Sequence, residues 1–436
     1  MRIAFIQKDP LPDIQAMSLA ASAIFRGHRG RVFIPAAERN LVRAIREYAP
    51  ACLVFNVSTG FEDWALEQAR ALRAVTGHTP VFFVGQHAED FPEIVEDPAV
   101  DLSLQGDAEE TIPDLLFLIE CDRPLLDVPG TVAWQEGALK FAPPREPIEP
   151  EAWAQLDLEI YRRYRFVRAQ RTLSIALGRG TLENLHAGFR MTQGELRRRF
   201  AGAPRRNVEE SIRAVHLAIS RRRFYRRVSF RDDTFTLDPE SLLLDLMPRY
   251  REEIARPFSC TSRVDLLDDR AMDALQLGGC DLVKLGIESG DETLRESVIG
   301  SRVSDADVER VVAGLKQRGI RVQTVAFLGL PGETPETAAK TLAMSVALRP
   351  SHAHALLMAD EPGASLFPEC EALWRLLPVA ARFPFLENTV KNAAGNPRDA
   401  LYERVFQFNH DLGFLTSGEL GPLDIAGMAL GMRGHS

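Results

Sequence analysis

The 436-residue sequence contains no run of 18 apolar residues, which excludes a membrane-spanning helix. It has only five cysteines, Cys52, Cys121, Cys260, Cys280 and Cys370, all widely spaced. No C-x2-C pair exists, so a disulfide framework or zinc knuckle is excluded. Positive charge is short: 52 basic against 61 acidic residues give a net charge of −9, which disfavours a general nucleic-acid binder. Lysine is scarcer still, with 6 against 46 arginines, a bias we ascribe to genomic base composition. The Rossmann phosphate loop G-x-G-x-x-G is absent, which disfavours a nicotinamide cofactor. The first residues, Met1 to Asp9, lack the apolar length of a signal peptide, so a cytoplasmic protein is expected. What remains is ordinary for soluble globular chains: 45% apolar and 26% charged residues, in two or three domains by length.

The N-terminal third alternates strands and helices. Arg2–Gln7, Arg31–Ile34, Ala51–Val57, Pro80–Val84 and Leu102–Gln105 are short apolar runs bounded by turn residues, as buried parallel strands should be. Leu41–Tyr48, Phe61–Val75 and a segment ending near Glu120 read as helices, the second with Trp64, Leu66, Ala69 and Leu72 on one stripe. The series predicts a Rossmann-like doubly wound sheet, whose ligands sit at the carboxyl ends of the strands. Those ends carry Ser58, Thr59 and Gly60, then Gly85, Gln86 and His87, then Gly106. Small residues there are either turn formers or room for a large ligand to approach the backbone.

Phe55-Asn-Val-Ser-Thr-Gly60, Gly85-Gln-His-Ala88 with Phe91-Pro-Glu93, and Gln105-Gly-Asp-Ala-Glu-Glu110 resemble the cobalamin-binding domain that precedes the barrel in cobalamin-dependent radical S-adenosylmethionine (SAM) enzymes. The resemblance implies that Ser58, Thr59, Gly60, Gly85, Gln86 and Gly106 line the cobalamin pocket. The D-x-H-x-x-G motif of mutase-type domains is missing, because the loop Gln7 to Asp13 offers no histidine. Cobalamin is therefore expected without a protein histidine below cobalt. His28 and His87 read as structural.

Residues 1–124 are expected to form this first domain, and 125–164 a linker, with Pro124, Pro129, Pro143, Pro144, Pro147 and Pro150 suiting an extended connector around a small hairpin. Residues 165–370 alternate again. Strands at Thr172–Leu177, Arg227–Arg231, Phe258–Ser262, Leu282–Ile287, Val322–Leu328 and Ala355–Met358 are separated by helical segments. Six repeats predict an open, partial (β/α)6 barrel of the TIM type, with its site at the strand carboxyl ends. There stand Gly178 to Thr181, Asp232 and Asp233, Arg263 and Asp265, Glu288 to Gly290, Gly329 to Glu333, and Asp360 to Gly363. Helix caps and strand turns explain some of these residues, but so many on one face favour a site. Residues 371–436 read as a helical C-terminal extension of unreadable role.

Phe230-Arg-Asp-Asp-Thr-Phe-Thr-Leu-Asp238, Phe258-Ser-Cys-Thr-Ser-Arg-Val-Asp265, Lys284-Leu-Gly-Ile-Glu-Ser-Gly290 and Phe327-Leu-Gly-Leu-Pro-Gly-Glu-Thr334 resemble consecutive barrel segments of the same enzymes. The likeness covers roughly residues 1–370. It implies that Glu288 and Ser289 contact the methionine and ribose parts of SAM, with Asp232 and Arg263 nearby and the backbone at Gly329 facing the adenine. The family's C-x3-C-x2-C motif, whose thiolates hold a 4Fe-4S cluster, is not matched. After the introducing Arg179-Gly180, its positions are Thr181, Leu185 and Gly188. The cluster is therefore expected to be absent.

Without it, the expected chemistry is polar transfer of a SAM-derived group, most readily methyl, to a small molecule, with cobalamin as a second cofactor. Two alternatives stay open: a cobalamin-binding pseudoenzyme, sensor or partner protein, and cobalamin-only catalysis. A reductase is the expected protein partner; no nucleic acid or membrane is. Arg190 to Arg231 holds 13 arginines against three glutamates, either a solvated face or a cradle for an anionic substrate.

Overall fold

The computed structural model describes residues 1–357 except 9–11, 58–61, 179–204, 237–242 and shorter stretches within 126–170 and at 222–223, 233, 329 and 331. The chain divides into two compact units, essentially Met1–Ser174 and the segment from Ile175 onward.

The first unit is built on a seven-stranded sheet of order β2-β1-β3-β4-β5-β6-β7. Its strands are β1 (Arg2–Ile6), β2 (Arg29–Phe33), β3 (Cys52–Asn56), β4 (Val81–Val84), β5 (Leu102–Leu104), β6 (Thr131–Gln135) and β7 (Ala138–Phe141). The first five are parallel, and the inner strands β1, β3 and β4 are nearly continuous in apolar residues, as strands buried on both faces are. The helices of this unit are α1 (Ile14–Phe25), α2 (Leu41–Tyr48), α3 (Glu62–Thr76), α4 (Gln86–Asp90) and α5 (Ala108–Glu120). Asp13 starts α1 by accepting the backbone N–H groups of Gln15 (2.8 Å) and Ala16 (3.2 Å). The buried stripe of α3 is Ala65, Ala69 and Leu72, while Trp64 and Leu66 are only partly buried at its edge.

The domain boundary differs from the one the prolines suggested. β6 pairs antiparallel with β5, so the hairpin extends the sheet. Farther on, the Tyr161 hydroxyl donates to Gln7 Oε1 (2.5 Å) and accepts the N–H of Asp13 (2.8 Å). The Tyr164 hydroxyl donates to Glu38 (2.6 Å) and accepts the N–H of Ile34 (2.8 Å). Prolines set the backbone path of 125–164, but two buried tyrosines and a ladder tie it down. The segment clusters with the first unit and is held against it.

The second unit holds a six-stranded sheet in sequence order: β8 (Thr172–Ile175), β9 (Arg227–Phe230), β10 (Phe258–Arg263), β11 (Cys280–Glu288), β12 (Arg321–Leu328) and β13 (His352–Leu357). Each pairing from β9 to β13 is parallel. Between the strands run α6 (Val208–Arg221), α7 (Leu244–Glu253), α8 (Asp269–Gly278), the short α9 (Glu292–Ser297), α10 (Asp305–Gln317) and α11 (Pro335–Leu348). Parallel neighbours joined by helices give the curved, partly closed (β/α)6 layout. Along β11, burial alternates: Val283, Leu285 and Ile287 are buried, whereas Lys284, Gly286 and Glu288 are partly open. The expected helical region 371–436 lies outside the described residues.

Candidate cofactor sites at the strand ends

In the first unit the ends of β4 and β5 are described, whereas Ser58, Thr59 and Gly60 and the side chain of Gln86 are not. Gly85 has φ +97°, and a Cβ there would come within 2.2 Å of Asn56 Oδ1 and 3.0 Å of the Val57 carbonyl. Only glycine fits. Asn56 is itself fixed, its Nδ2 donating to Asp13 Oδ2 (2.7 Å). Gly106 also has positive φ (+66°), but a Cβ there would meet nothing within 4 Å. The backbone at Gly106 thus faces open space beside the sheet end. His87 is buried, 3.9 Å from Glu62 and against the Phe91 ring, as a core histidine is. His28 sits beside the N-terminal amine, and burial with that neighbouring charge lowers its pKa.

At the barrel ends the five sequence-predicted residues separate. Asp232 is buried, and its carboxylate accepts the N–H groups of Leu177 (3.1 Å) and Gly178 (2.8 Å). Burial raises its pKa, against the pull of Arg205 and those amides. Gly178 also bridges Arg205, and Arg206 donates to the Ala176 carbonyl (2.9 Å). Asp232 therefore staples the neck of the loop that leaves β8 and is not free for a ligand. Ser289 is fully buried; its hydroxyl lies 3.4 Å from Thr341 Oγ1 and accepts the N–H of Asp291 (3.2 Å). It anchors a backbone contact so tight that a Cβ on Gly290 would sit 2.4 Å from Thr341. Gly329 is not described.

Glu288 and Arg263 do come together. They line one pocket with Asp265, Arg295, Ile299 and Ser301. Asp265 holds Arg263 from Nε and Nη2, both at 3.0 Å. Glu288 sits in the left-handed region (φ 64°) at a break in the β11–β12 register. This turns its side chain back over Gly286, where a Cβ would lie 2.5 Å from Oε1. Among the described residues its carboxylate accepts no hydrogen bond. Burial raises its pKa to about 7, with Arg263 and Arg295 opposing and Asp265 adding to the rise.

The sequence reading missed Arg295. It is fully buried on α9, donates Nε to the Val303 carbonyl (3.0 Å), and reaches the Ser289 carbonyl and Asp305 through its other nitrogens. It ties the loop after β11 into a floor beneath Glu288. The one available signal was its position, seven residues after Glu288 in a short helix capped by Asp291.

Cys52, Cys260 and Cys280 are buried, and Cys121 is exposed. Burial pushes the Cys52 thiol up to about 12. Its hydrogen bond to Cys280, together with burial, holds Cys260 well above the ordinary thiol range. These are core thiols, not thiolate ligands. The positions Thr181, Leu185 and Gly188 lie outside the described residues, but a leucine and a glycine carry no donor atom, so this residue set does not fit a three-thiolate cluster.

Residues 188–344 match the radical SAM superfamily model. The chain is 22% identical, over 75% of its length and 71% of the relative's, to a protein of Pyrococcus horikoshii named "Uncharacterized methyltransferase PH0819". Its fold matches that of the radical SAM methyltransferase TsrM from Kitasatospora setae in the form with cobalamin and a [4Fe-4S] cluster bound. That match has TM-score 0.63 and 18% identity, over 82% of this chain and 72% of that one. It also matches the cobalamin-dependent SAM radical enzyme OxsB with aqua-cobalamin and SAM bound (TM-score 0.60, 13% identity, 86% of this chain but 56% of that one). The two-unit architecture is therefore that of the cobalamin-dependent radical SAM enzymes.

Proposed function

We propose that this protein is a SAM-dependent transferase that moves a methyl group to a small molecule by polar displacement, with cobalamin in its first unit and no 4Fe-4S cluster. The observation that carries the reading is the partly open Glu288 carboxylate, which accepts no hydrogen bond among the described residues, beside a fixed arginine in a pocket at the barrel ends. An amino-acid zwitterion suits that pair: its ammonium meets Glu288, and its carboxylate meets the Arg263 Nη1, which no described residue occupies. Arg295 and the Ser289–Thr341 contact hold the pocket floor in place, so geometry is fixed before binding. SAM, when bound, supplies an electrophilic sulfonium methyl that needs no electron to react. The likeness to a methyltransferase fold supports methyl as the group. In the first unit, the open backbone at Gly106 fits a large planar ligand approaching the strand ends. No histidine of the described residues is free beside them to ligate it, since His87 is packed inside. An expected location in the cytoplasm and a reductase partner complete the proposal.

The test is reconstitution of the purified chain with cobalamin, followed by an iron assay, titration with SAM and an assay with methyl-labelled SAM. Bound SAM with sub-stoichiometric iron is expected. About four irons per chain would refute the cluster-free reading. Cobalamin binding without SAM binding would favour a pseudoenzyme, sensor or cobalamin-only protein.

A further inference from the structure

Inside a (β/α) barrel the strand residues pointing inward are ordinarily branched and apolar, packed in layers. The second unit departs from this at one level. Thr261 of β10, Lys284 of β11 and Gln323 of β12 are register partners on adjacent parallel strands, so their side chains share the inner face. Ser229 of β9 pairs with Ser259, which places Arg231, two residues on, on that same face. All four are polar, and all are at least partly open. The next level holds Arg263 and Gly286, the floor of the Glu288 pocket.

Two of the four are cations. Among the described residues, Lys284 and Arg231 make no side-chain hydrogen bond or ion pair. Other lysines of this unit contrast: Lys340 binds Asp291 (2.7 Å) and Lys316 donates to the Leu348 carbonyl (2.7 Å). Burial and the nearby Arg231 charge both lower the Lys284 pKa. A partly buried lysine beside a like charge is costly without a counter-charge. Asp232 and Asp265 do not supply it: Asp232 is stapled to backbone amides and Asp265 to Arg263.

We infer that the inner barrel face at Lys284 and Arg231 is an oxyanion subsite that holds a carboxylate or phosphate of the substrate next to the SAM pocket. This rests on the transferase reading for the word substrate. The site itself stands on the barrel face alone. It relocates anion binding from the long arginine-rich segment, most of which serves elsewhere or lies outside the described residues, to one arginine and the lysine it faces. Thr261 and Gln323 add neutral donors at the same level.

The test uses the full chain with inorganic phosphate and benzoate as separate probes. Each is titrated calorimetrically into wild type and into Lys284→Gln, Arg231→Gln and Lys284→Arg. In parallel, pulse acetylation read by mass spectrometry follows each lysine of the wild type. Expected are binding of at least one probe, protection of Lys284 but not of Lys340, and affinity about tenfold or more weaker in Lys284→Gln with partial retention in Lys284→Arg. Preference for one probe identifies the anion. Absence of binding and protection in wild type, or equal affinity in Lys284→Gln, overturns the proposal. SAM titrated into the same samples separates the two readings. Anion binding without SAM binding leaves this subsite standing and removes the transferase.

Discussion

Asp232 and Glu288 are carboxylates at the ends of barrel strands β9 and β11, and a sequence cannot tell them apart. The structure gives them opposite states. Asp232 spends its oxygens on two backbone amides at the base of the loop after β8. Glu288 has the arginine nearby, no hydrogen bond among the described residues, a strained backbone and a pocket in front of it. A buried carboxylate with its acceptors filled stabilises a fold. One with acceptors unfilled costs stability and waits for a cation.

The largest effect that can break this contrast is on ligand binding. Glu288→Ala is expected to weaken SAM by at least tenfold, within the roughly 2–5 kcal/mol that loss of one partner of a desolvated charge pair costs. Cobalamin binding should be unchanged, and the melting temperature of the free protein unchanged or raised. Calorimetric titration with both cofactors reads all of this. Undiminished SAM affinity would remove Glu288 from the site.

Asp232→Ala should do the reverse. It leaves the Leu177 and Gly178 amides without their acceptor and should cost about 1–3 kcal/mol of stability, seen as a lower denaturant midpoint. If the variant keeps its midpoint and loses SAM instead, Asp232 is a ligand-binding group and the contrast collapses.

The glycines of the first unit repeat the contrast on a smaller scale. Gly85→Ala collides with Asn56 and the Val57 carbonyl, so loss of cobalamin there would report a damaged domain. Gly106→Ala collides with nothing and carries only the left-handed backbone cost of about 1–2 kcal/mol. Loss of cobalamin absorbance in a folded Gly106→Ala protein would therefore report exclusion of the ligand. Unchanged absorbance would move the pocket away from Gly106.

Much of the architecture was legible in the sequence because parallel strands buried on both faces leave continuous apolar runs, as Cys52–Asn56 and Val81–Val84 do. The helix Ile14–Phe25 was not singled out, since nearly all of its residues are apolar or small and no polar stripe marks its period. The course of 125–164 is legible only in part, because composition registers prolines and not the partners of Tyr161 and Tyr164, which lie more than 120 residues away. At the site, motif position found Glu288 and Arg263 together. It could not show that Asp232 and Ser289 are used up by the fold, because hydrogen-bond saturation is a tertiary property. Arg295 escaped for the same reason: a surface-like arginine in sequence is a fully buried hub in space.

The smallest expected effect is also the sharpest, because it runs in opposite directions with and without ligand. The folded pKa of Glu288, about 7, lies above the ordinary glutamate value of 4.5. The stability associated with the protonated group is therefore fully present below 4.5 and is lost as pH rises through about 7. A bound ammonium reverses the preference, since it interacts with the ionised form. From pH 6 to 7.5 the free protein should become slightly less stable while SAM binds more tightly. Arg263, whose pKa is raised by its pairing with Asp265, keeps its charge across this window and does not supply the trend. Glu288→Gln should flatten both dependences. Thermal melts of the free protein and SAM titrations at the two pH values measure them side by side. A binding profile that keeps its slope in Glu288→Gln would assign the titration to another group and leave Glu288 without its role as the cation's partner.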